Sequence, residues 1–521
     1  MEEVDQHNHQ TDQHKKKLYD AHEHELKFHV EKKTLIIWIS SALLVLVPII
    51  ISGLIHPKPV IKVASAQEQV TANSKSCFDS CRIEVIESIP QNLTFDGYIP
   101  PSTFEIWHSL IAGTKDHLDL ACYKTSLRGK HVFGSDYDQE FSVQGETIYE
   151  LLRSAGVDRK INIRMVENSP AKDPGDNEDG RSLNKIGAIT RRSLNLQKLG
   201  GSGTMHAKFM LSDNKDFYLG SANLDWRSLN QKMELGLFVQ NCPCLAGDLS
   251  ATFDSYWQAT QANTIEELRR WKKTQKKALF NMQRPLRVTY EGTKADVYIA
   301  TSPKILNQPE RTWDLDAIVH EINSAEQFAY IHVMDYFPML LYTPQRRYWS
   351  AIDNAIRDAI IRGVKVRMIV SALHYPSIGM RFMKSLEDMD KITNNASIEI
   401  RVFKVPTDVG EDGLLRRERR THNKFMVTEN AVIIGTSNWS GDYFEYSTGA
   451  AIVIKQNATD SLEPPFIRRM RSIFRRDWDS RYTHPLSVYY EECILSKRGT
   501  FCEEEKDISI FSRPLKNDTT E

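Results

Sequence analysis

The chain repeats itself, and that repetition limits its fold more than any other feature. Residues 206–214 read His-Ala-Lys-Phe-Met-Leu-Ser-Asp-Asn and residues 422–430 read His-Asn-Lys-Phe-Met-Val-Thr-Glu-Asn, identical at five of nine positions. The continuations match as well: Gly220-Ser221-Ala222-Asn223 returns as Gly435-Thr436-Ser437-Asn438, one residue sooner. Upstream, residues 147–168 resemble residues 350–371, each passing from apolar positions at helical spacing to a short strand-like run. Downstream, Phe253 and Trp257 are matched by Phe474 and Trp478, a spacing that helix packing accounts for. Such a chain folds as two similar units. Runs such as 118–123, 328–334 and 431–437 are apolar nearly throughout, as strands covered on both faces are. Helical stretches lie between them. The expected class is α/β, with two sandwich halves built on mixed sheets at residues 77–288 and 289–490.

Outside the duplication the sequence reads differently. Residues 1–33 hold six His, six Lys and eight acidic residues, and read as a polar tail whose His lack metal-site spacing. Residues 34–55 are 22 positions without a charge, enough for one helix to span roughly 30 Å of hydrocarbon. Pro48 is tolerated inside such a helix. Six lysines precede this span, whereas Lys58, Lys62 and Lys75 follow it, so the tail is expected in the cytosol and the body in a lumen. The reading is an uncleaved signal anchor, followed by a stalk (56–76) and, past the second half, an extension (491–521).

Every Cys and every N-x-S/T sequon lies after the span, as expected where disulfides and glycans form. The sequons start at Asn92, Asn395, Asn438, Asn457 and Asn517; Asn92, Asn395 and Asn457 are taken as the acceptors. Cys77 and Cys81 are expected to cross-link to Cys242 and Cys244, with the pairing open, and Cys493 and Cys502 to form a further disulfide pair. Cys122, in an apolar run, reads as a buried free thiol, and the cysteine spacing is poor for zinc. With 67 basic and 68 acidic residues there is no global cationic field, so a polyanion has to be met locally.

The repeated motif carries chemistry. Along a strand, side chains alternate, so His206 and Lys208 share a face, as do His422 and Lys424. If the halves pack about a pseudo-twofold, two His, two Lys and the amides of Asn223 and Asn438 converge, with Ser221, Thr436 and Ser437 as hydroxyl donors to substrate. That set suits a phosphodiester: Lys and Asn neutralise the non-bridging oxygens, one imidazole attacks phosphorus and the other protonates the leaving oxygen. No metal or cofactor is required. Lys208 and Lys424 should lower the attacking imidazole's pKa by like-charge repulsion. Glu234 is expected to orient His206, with no clear counterpart in the second half. Arg416, Arg417, Arg419 and Arg420 form a run that could track phosphates. Tyr336, Phe337, Trp226, Trp439 and Tyr443 could stack bases, core packing being the default for each.

These residues resemble the phospholipase D superfamily, whose signature is H-x-K-x4-D followed by G-S-x-N. His206, Lys208, Asp213, Gly220, Ser221 and Asn223 fit fully; in the second copy Glu429 replaces Asp and Thr436 replaces Ser. The acidic position, Asp213 or Glu429, is supporting rather than chemical by this resemblance. Residues 219–229, 242–244, 422–429, 435–444 and 474–482 together resemble its type II membrane branch, members three and four of animals. The resemblance implies two halves around one shared active site. It also implies 5′→3′ exonuclease activity on single-stranded DNA and RNA, with phospholipid transphosphatidylation (bis(monoacylglycero)phosphate synthesis) as the alternative. It further implies travel through endoplasmic reticulum and Golgi to lysosomes, release there as a soluble lumenal form, and His206 as nucleophile with His422 as acid; the reversed assignment stays open. A homodimer is allowed for.

Overall fold

The computed structural model describes residues 77–490, apart from 135–138, 174, 344, 373–376, 407–417 and 458–462. The expected tail, anchor, stalk and C-terminal extension, with Cys493, Cys502 and Asn517, lie outside the described residues. So do Arg416 and Arg417. Among the described residues no helix is long and apolar enough to cross a membrane.

Each half is built on one mixed sheet. The first half supplies β1 (Arg82–Ser88), β2 (His117–Cys122), β3 (Asn162–Asn168), β4 (Thr190–Leu194), β5 (Phe209–Ser212), β6 (Asp216–Gly220) and β7 (Lys232–Gln240). The second supplies β8 (Leu286–Tyr290), β9 (Thr293–Ser302), β10 (Phe328–Val333), β11 (Lys365–Ser371), β12 (Ser397–Phe403), β13 (Arg420–Thr421), β14 (Lys424–Thr428), β15 (Ala431–Gly435), β16 (Gly449–Lys455) and β17 (Thr483–Pro485). The order β1-β7-β6-β5-β2-β3-β4 in one sheet is repeated as β9-β16-β15-β14-β10-β11-β12 in the other, with β8 and β17 added at the edges of the second. In both, the strand before the motif runs parallel to the next and antiparallel to the motif strand. The internal repeat of the sequence is therefore a repeat of topology. The central strands are mostly apolar because helices cover them: α1 (Thr103–Gly113), started by a Ser102/Glu105 capping box, α2 (Val143–Val157) and α3 (Pro243–Ala259) in the first half. The second half has α4 (Asp314–Ser324), α5 (Ala351–Ile361), the short α6 (Gly441–Glu445) and α7 (Pro465–Trp478).

The halves are stitched together. β13 belongs by sequence to the second half but pairs with β7 of the first, Thr421 opposite Met233. Cys77 bonds Cys244 and Cys81 bonds Cys242, which settles the pairing left open above and rules out zinc on these thiols. Cys122 is a buried free thiol, as expected. Asn92, Asn395 and Asn457 are exposed, whereas Asn438 is buried and so is no acceptor.

Candidate active site

Both His-x-Lys motifs lie at the seam, each entering a central strand, β5 or β14. Each is held by the other half. The backbone N–H groups of His206 and Ala207 donate to Thr448 Oγ1 at 2.8 and 3.1 Å, and His422 N–H donates to the Met233 carbonyl at 2.8 Å. Lys424 Nζ donates to its own motif's His422 carbonyl at 2.6 Å, and Lys208 does the same to His206. His206 and His422 are only 5% and 7% exposed. Burial pulls the pKa of His206 far down, and the charges of Lys208, Lys424 and His422 pull the same way. Burial likewise pulls His422 down, followed by Lys424, Lys232 and Lys208. Each imidazole thus feels the other motif's lysine, so the two motifs lie close to one another across the seam. Repulsion by the lysines acts in the expected direction, but burial is the larger cause.

The acid partner is where the halves part. Glu234 Oε2 accepts from His422 Nδ1 at 2.7 Å and from Ser221 Oγ at 2.6 Å, while its Oε1 accepts from Ser228 Oγ at 2.7 Å. The expectation that Glu234 orients His206 is corrected: β7 carries Glu234 across the seam to the opposite motif, because β13 lies against β7. Burial raises the Glu234 carboxyl to about 7. In register, Gly220 pairs with Gly236 and Gly435 with Ala451, so the second-half equivalent of Glu234 is Gly449. A Cβ there would meet Ser437 Oγ at 2.2 Å, Ser302 Oγ at 2.5 Å and Asp314 Oδ2 at 2.8 Å. The space is already filled by Asp314, and His206 Nδ1 has no partner among the described residues. His206 instead lies between two aromatic rings, Tyr123 at 5.1 Å and Tyr443 at 4.6 Å.

Several expected site residues serve the scaffold. Asp213 accepts from the backbone N–H groups of Lys115, Asp116 and His117, and Glu429 from those of Glu326, Gln327 and Phe328. Both tie down the turn before β2 or β10, and the longer Glu reaches an equivalent trio, so neither acts in the cavity. Ser221 is consumed by Glu234 and by Leu235 N–H, and Thr436 Oγ1 by Ala450 N–H. Ser437 donates to Asp314, and Tyr336 donates its hydroxyl to Asp353 in the core. All four hydroxyls, expected as substrate contacts, have partners within the protein. Asn223 and Asn438 are both buried, and their amide oxygens have no hydrogen-bond partner among the described residues. Of the five aromatics, Trp226, Trp439, Tyr336 and Phe337 are core; Tyr443 alone reaches the site. Arg419 is spent on Pro406, Gln231 and Gln91 rather than phosphate. Its neighbour Glu418 pairs with Arg227 and Lys232.

Two residues went unnoticed in the sequence. Val333 pairs with Lys424 and Ala121 with Phe209, which makes Tyr123 the counterpart of Met334 and Lys124 the counterpart of Asp335. Lys124 is tied to Asp176 and Asp225. Asp335 is buried with Oδ1 unpartnered among the described residues, and burial raises its carboxyl to about 6 against the pull of Lys424. The signal was position directly after a core strand; because the two copies differ there, the repeat did not flag them.

The family model for the PLD3/4, PLD-like domain matches residues 98–408. The chain belongs to the phospholipase D superfamily, in its PLD3/4 branch. As such it is a phosphodiesterase. It is 37% identical over 419 residues to the 5′-3′ exonuclease PLD3 of Homo sapiens, covering 79% of this chain and 82% of the relative. With its Xenopus laevis namesake the figures are 35% over 444 residues, 84% and 88%. A probable phospholipase D of Caenorhabditis elegans is 35% identical over 418 residues, 79% of this chain and 72% of that one. Among solved structures, phosphatidylserine synthase of Haemophilus influenzae shares the fold at a TM-score of 0.51 and 11% identity, covering 83% of this chain and 94% of that one.

Proposed function

We propose that the protein is a 5′→3′ exonuclease on single-stranded DNA and RNA, working through a phosphohistidine on His206. The carrying observation is the unequal pair of buried imidazoles, His422 bonded to Glu234 and His206 not, in a chain whose relatives are named 5′-3′ exonucleases. His206, kept neutral by burial and by the lysines, offers a lone pair for attack on phosphorus. His422, with the buried Glu234 carboxyl at 2.7 Å, is the imidazole that has an acidic partner to share its proton. The P–N bond forms as the P–O bond to the leaving nucleotide breaks, and His422 gives its proton to that oxygen. Water then attacks, its proton passes to His422, and the P–N bond breaks to free His206. Lys208, Lys424, Asn223 and Asn438 hold the non-bridging oxygens throughout. The depressed His206 pKa favours the neutral, nucleophilic imidazole.

The rest of this reading concerns place. Residues 34–55 anchor the chain as a single-pass type II membrane protein of endoplasmic reticulum, Golgi and lysosome. Its lumenal body carries glycans at Asn92, Asn395 and Asn457, all exposed, and the two disulfides support an oxidising lumen.

The test is degradation of 5′-labelled and 3′-labelled single-stranded oligonucleotides by purified full-length protein, beside phosphatidylglycerol vesicles. Release of label from the 5′ end first, lost in His206→Ala and His422→Ala, is the expected result. Intact oligonucleotides with turned-over lipid would replace the nuclease reading by the transphosphatidylase one.

A further inference from the structure

The halves also differ behind the motif strand. Phe209 pairs with Ala121 and Phe425 with His332, so Ala121 and His332 are equivalent. By the repeat, Met205 matches Thr421, Ala207 matches Asn423, and Tyr256 matches Asp477. The first half packs this place with Ala121, Met205, Ala207 and Tyr256, all buried; the second holds four buried polar residues there. Buried polar groups are costly unless paired; these gather around His332, with Asn423 Oδ1 and Asp477 Oδ2 left without a hydrogen-bond partner among the described residues. His332 Nε2 lies 2.8 Å from Thr421 Oγ1, and His332 Nδ1 lies 3.3 Å from Asp477 Oδ2. The Asn423 amide stands 3.5 Å from the same Nδ1. Asp477 is gripped by Arg476 at 2.7 Å, and Arg476 forks onto Glu87 of β1 at 2.6 and 2.8 Å. The carboxylate beside Nδ1 keeps the ring proton there, so Nε2 accepts from the Thr421 hydroxyl. A continuous buried polar chain therefore runs from β1 through α7 and β10 to the residue immediately before His422.

The contacts on either side of the backbone decide what this chain can act on. Thr421 and Asn423 turn to His332 in the core, whereas His422 turns to Glu234. In front, Glu234 holds the His422 ring; behind, His332 holds the backbone that carries it. The first motif needs no such strut, because Thr448 Oγ1 already fixes two of its N–H groups.

We infer that His332, acting through the Thr421 hydroxyl, is a positioning residue for His422 that aims its proton at the leaving oxygen. The inference rests on the reading of His422 as the acid. It is tested with full-length Thr421→Val, which keeps the shape and removes the hydroxyl, and Thr421→Ser, which returns it. Two substrates separate acid positioning from general damage: a single-stranded oligonucleotide, whose alkoxide leaving group needs a proton, and thymidine 3′-p-nitrophenyl phosphate, whose leaving group does not. On the oligonucleotide, Thr421→Val should lose about tenfold in kcat with KM within about twofold. On the p-nitrophenyl ester the first step, read as the burst of p-nitrophenol, should stay within about twofold of wild type, and Thr421→Ser should recover on both. Wild-type kcat on the oligonucleotide, equal losses on both substrates, or no recovery with serine would overturn the inference. If the valine variant does not fold, His332→Gln carries the same expectation and the same refutation. A wild-type protein inactive on both substrates would instead refute the reading of the site itself.

Discussion

At the register position where the first half has Glu234, the second has Gly449, and where the second half has His332, the first has Ala121. The two sheets share seven strands in one order, yet His422 is gripped by a carboxylate in front and a polar strut behind, whereas His206 lies between Tyr123 and Tyr443 with Nδ1 unpartnered among the described residues. Duplication gives two imidazoles; it does not give them one job. A phosphodiester has two unlike sides, the one attacked and the one that leaves. A single-chain duplicated protein, unlike a symmetric pair of chains, can adapt each copy to its side.

Substitutions can break or sharpen that comparison. The largest effect belongs to His206→Ala, which removes the nucleophile: about 10⁴-fold or more on the oligonucleotide and on the p-nitrophenyl ester alike, measured as kcat. His422→Ala should cost about 10²–10⁴-fold in kcat on the oligonucleotide, whereas on the ester it should keep the first-step burst of p-nitrophenol and lose only the turnover that follows, because only the oligonucleotide needs a proton at its leaving group. The same absence of a burst in both histidine variants would erase the distinction drawn here.

A smaller effect is expected from Glu234→Gln, about 10–10²-fold on the oligonucleotide. Introduced into His422→Ala it should add little, and into His206→Ala the comparison cannot be read, so the double-mutant cycle with His422 is the decisive one. Gly449→Ala probes the vacant counterpart. Its Cβ would press on Ser437 Oγ at 2.2 Å, so thermal denaturation should show a loss of about 1–3 kcal/mol.

The smallest effect is a pH dependence. Asp314 fills the place opposite Gly449, and burial raises its carboxyl from 3.8 to about 7, with Ser302 and Ser437 donating to it. The folded state therefore keeps a proton that the unfolded chain has already lost. The stability contributed at acid pH is lost as pH rises through that window. Asp314→Asn should gain in melting temperature relative to wild type on going from pH 4.5 to pH 7.5; a constant difference would count against the carboxyl being neutral at acid pH.

Much of this was legible in the sequence. The repeat of His206-x-Lys208 as His422-x-Lys424 announced two copies of one α/β unit, and the nearly apolar runs marked β2, β10 and β15. The cysteine segments foretold the staple, although which sulfur met which needed coordinates. What stayed hidden has a common physical cause: it crosses the seam. Glu234 lies 188 residues from the histidine it touches, and nothing local links it to His422 rather than His206. β13 is two residues long and joins a sheet formed by the other half. Ser221, Thr436 and Ser437 looked like anion donors because they follow a glycine at a strand end, but they turn toward the neighbouring strand and helix. His332 sat as one polar residue in an apolar run, where its partners Thr421 and Asp477 are brought only by folding.

The account depends on one phosphorus atom being shared by the two halves, with the covalent bond made to the first. Alkaline quenching of His422→Ala with thymidine 3′-p-nitrophenyl phosphate, followed by peptide mass spectrometry, measures this directly. In that variant the first step proceeds and the second lacks its base, so a thymidylate adduct should accumulate on His206. An adduct on another residue, or complete turnover of the ester by His206→Ala, would contradict it.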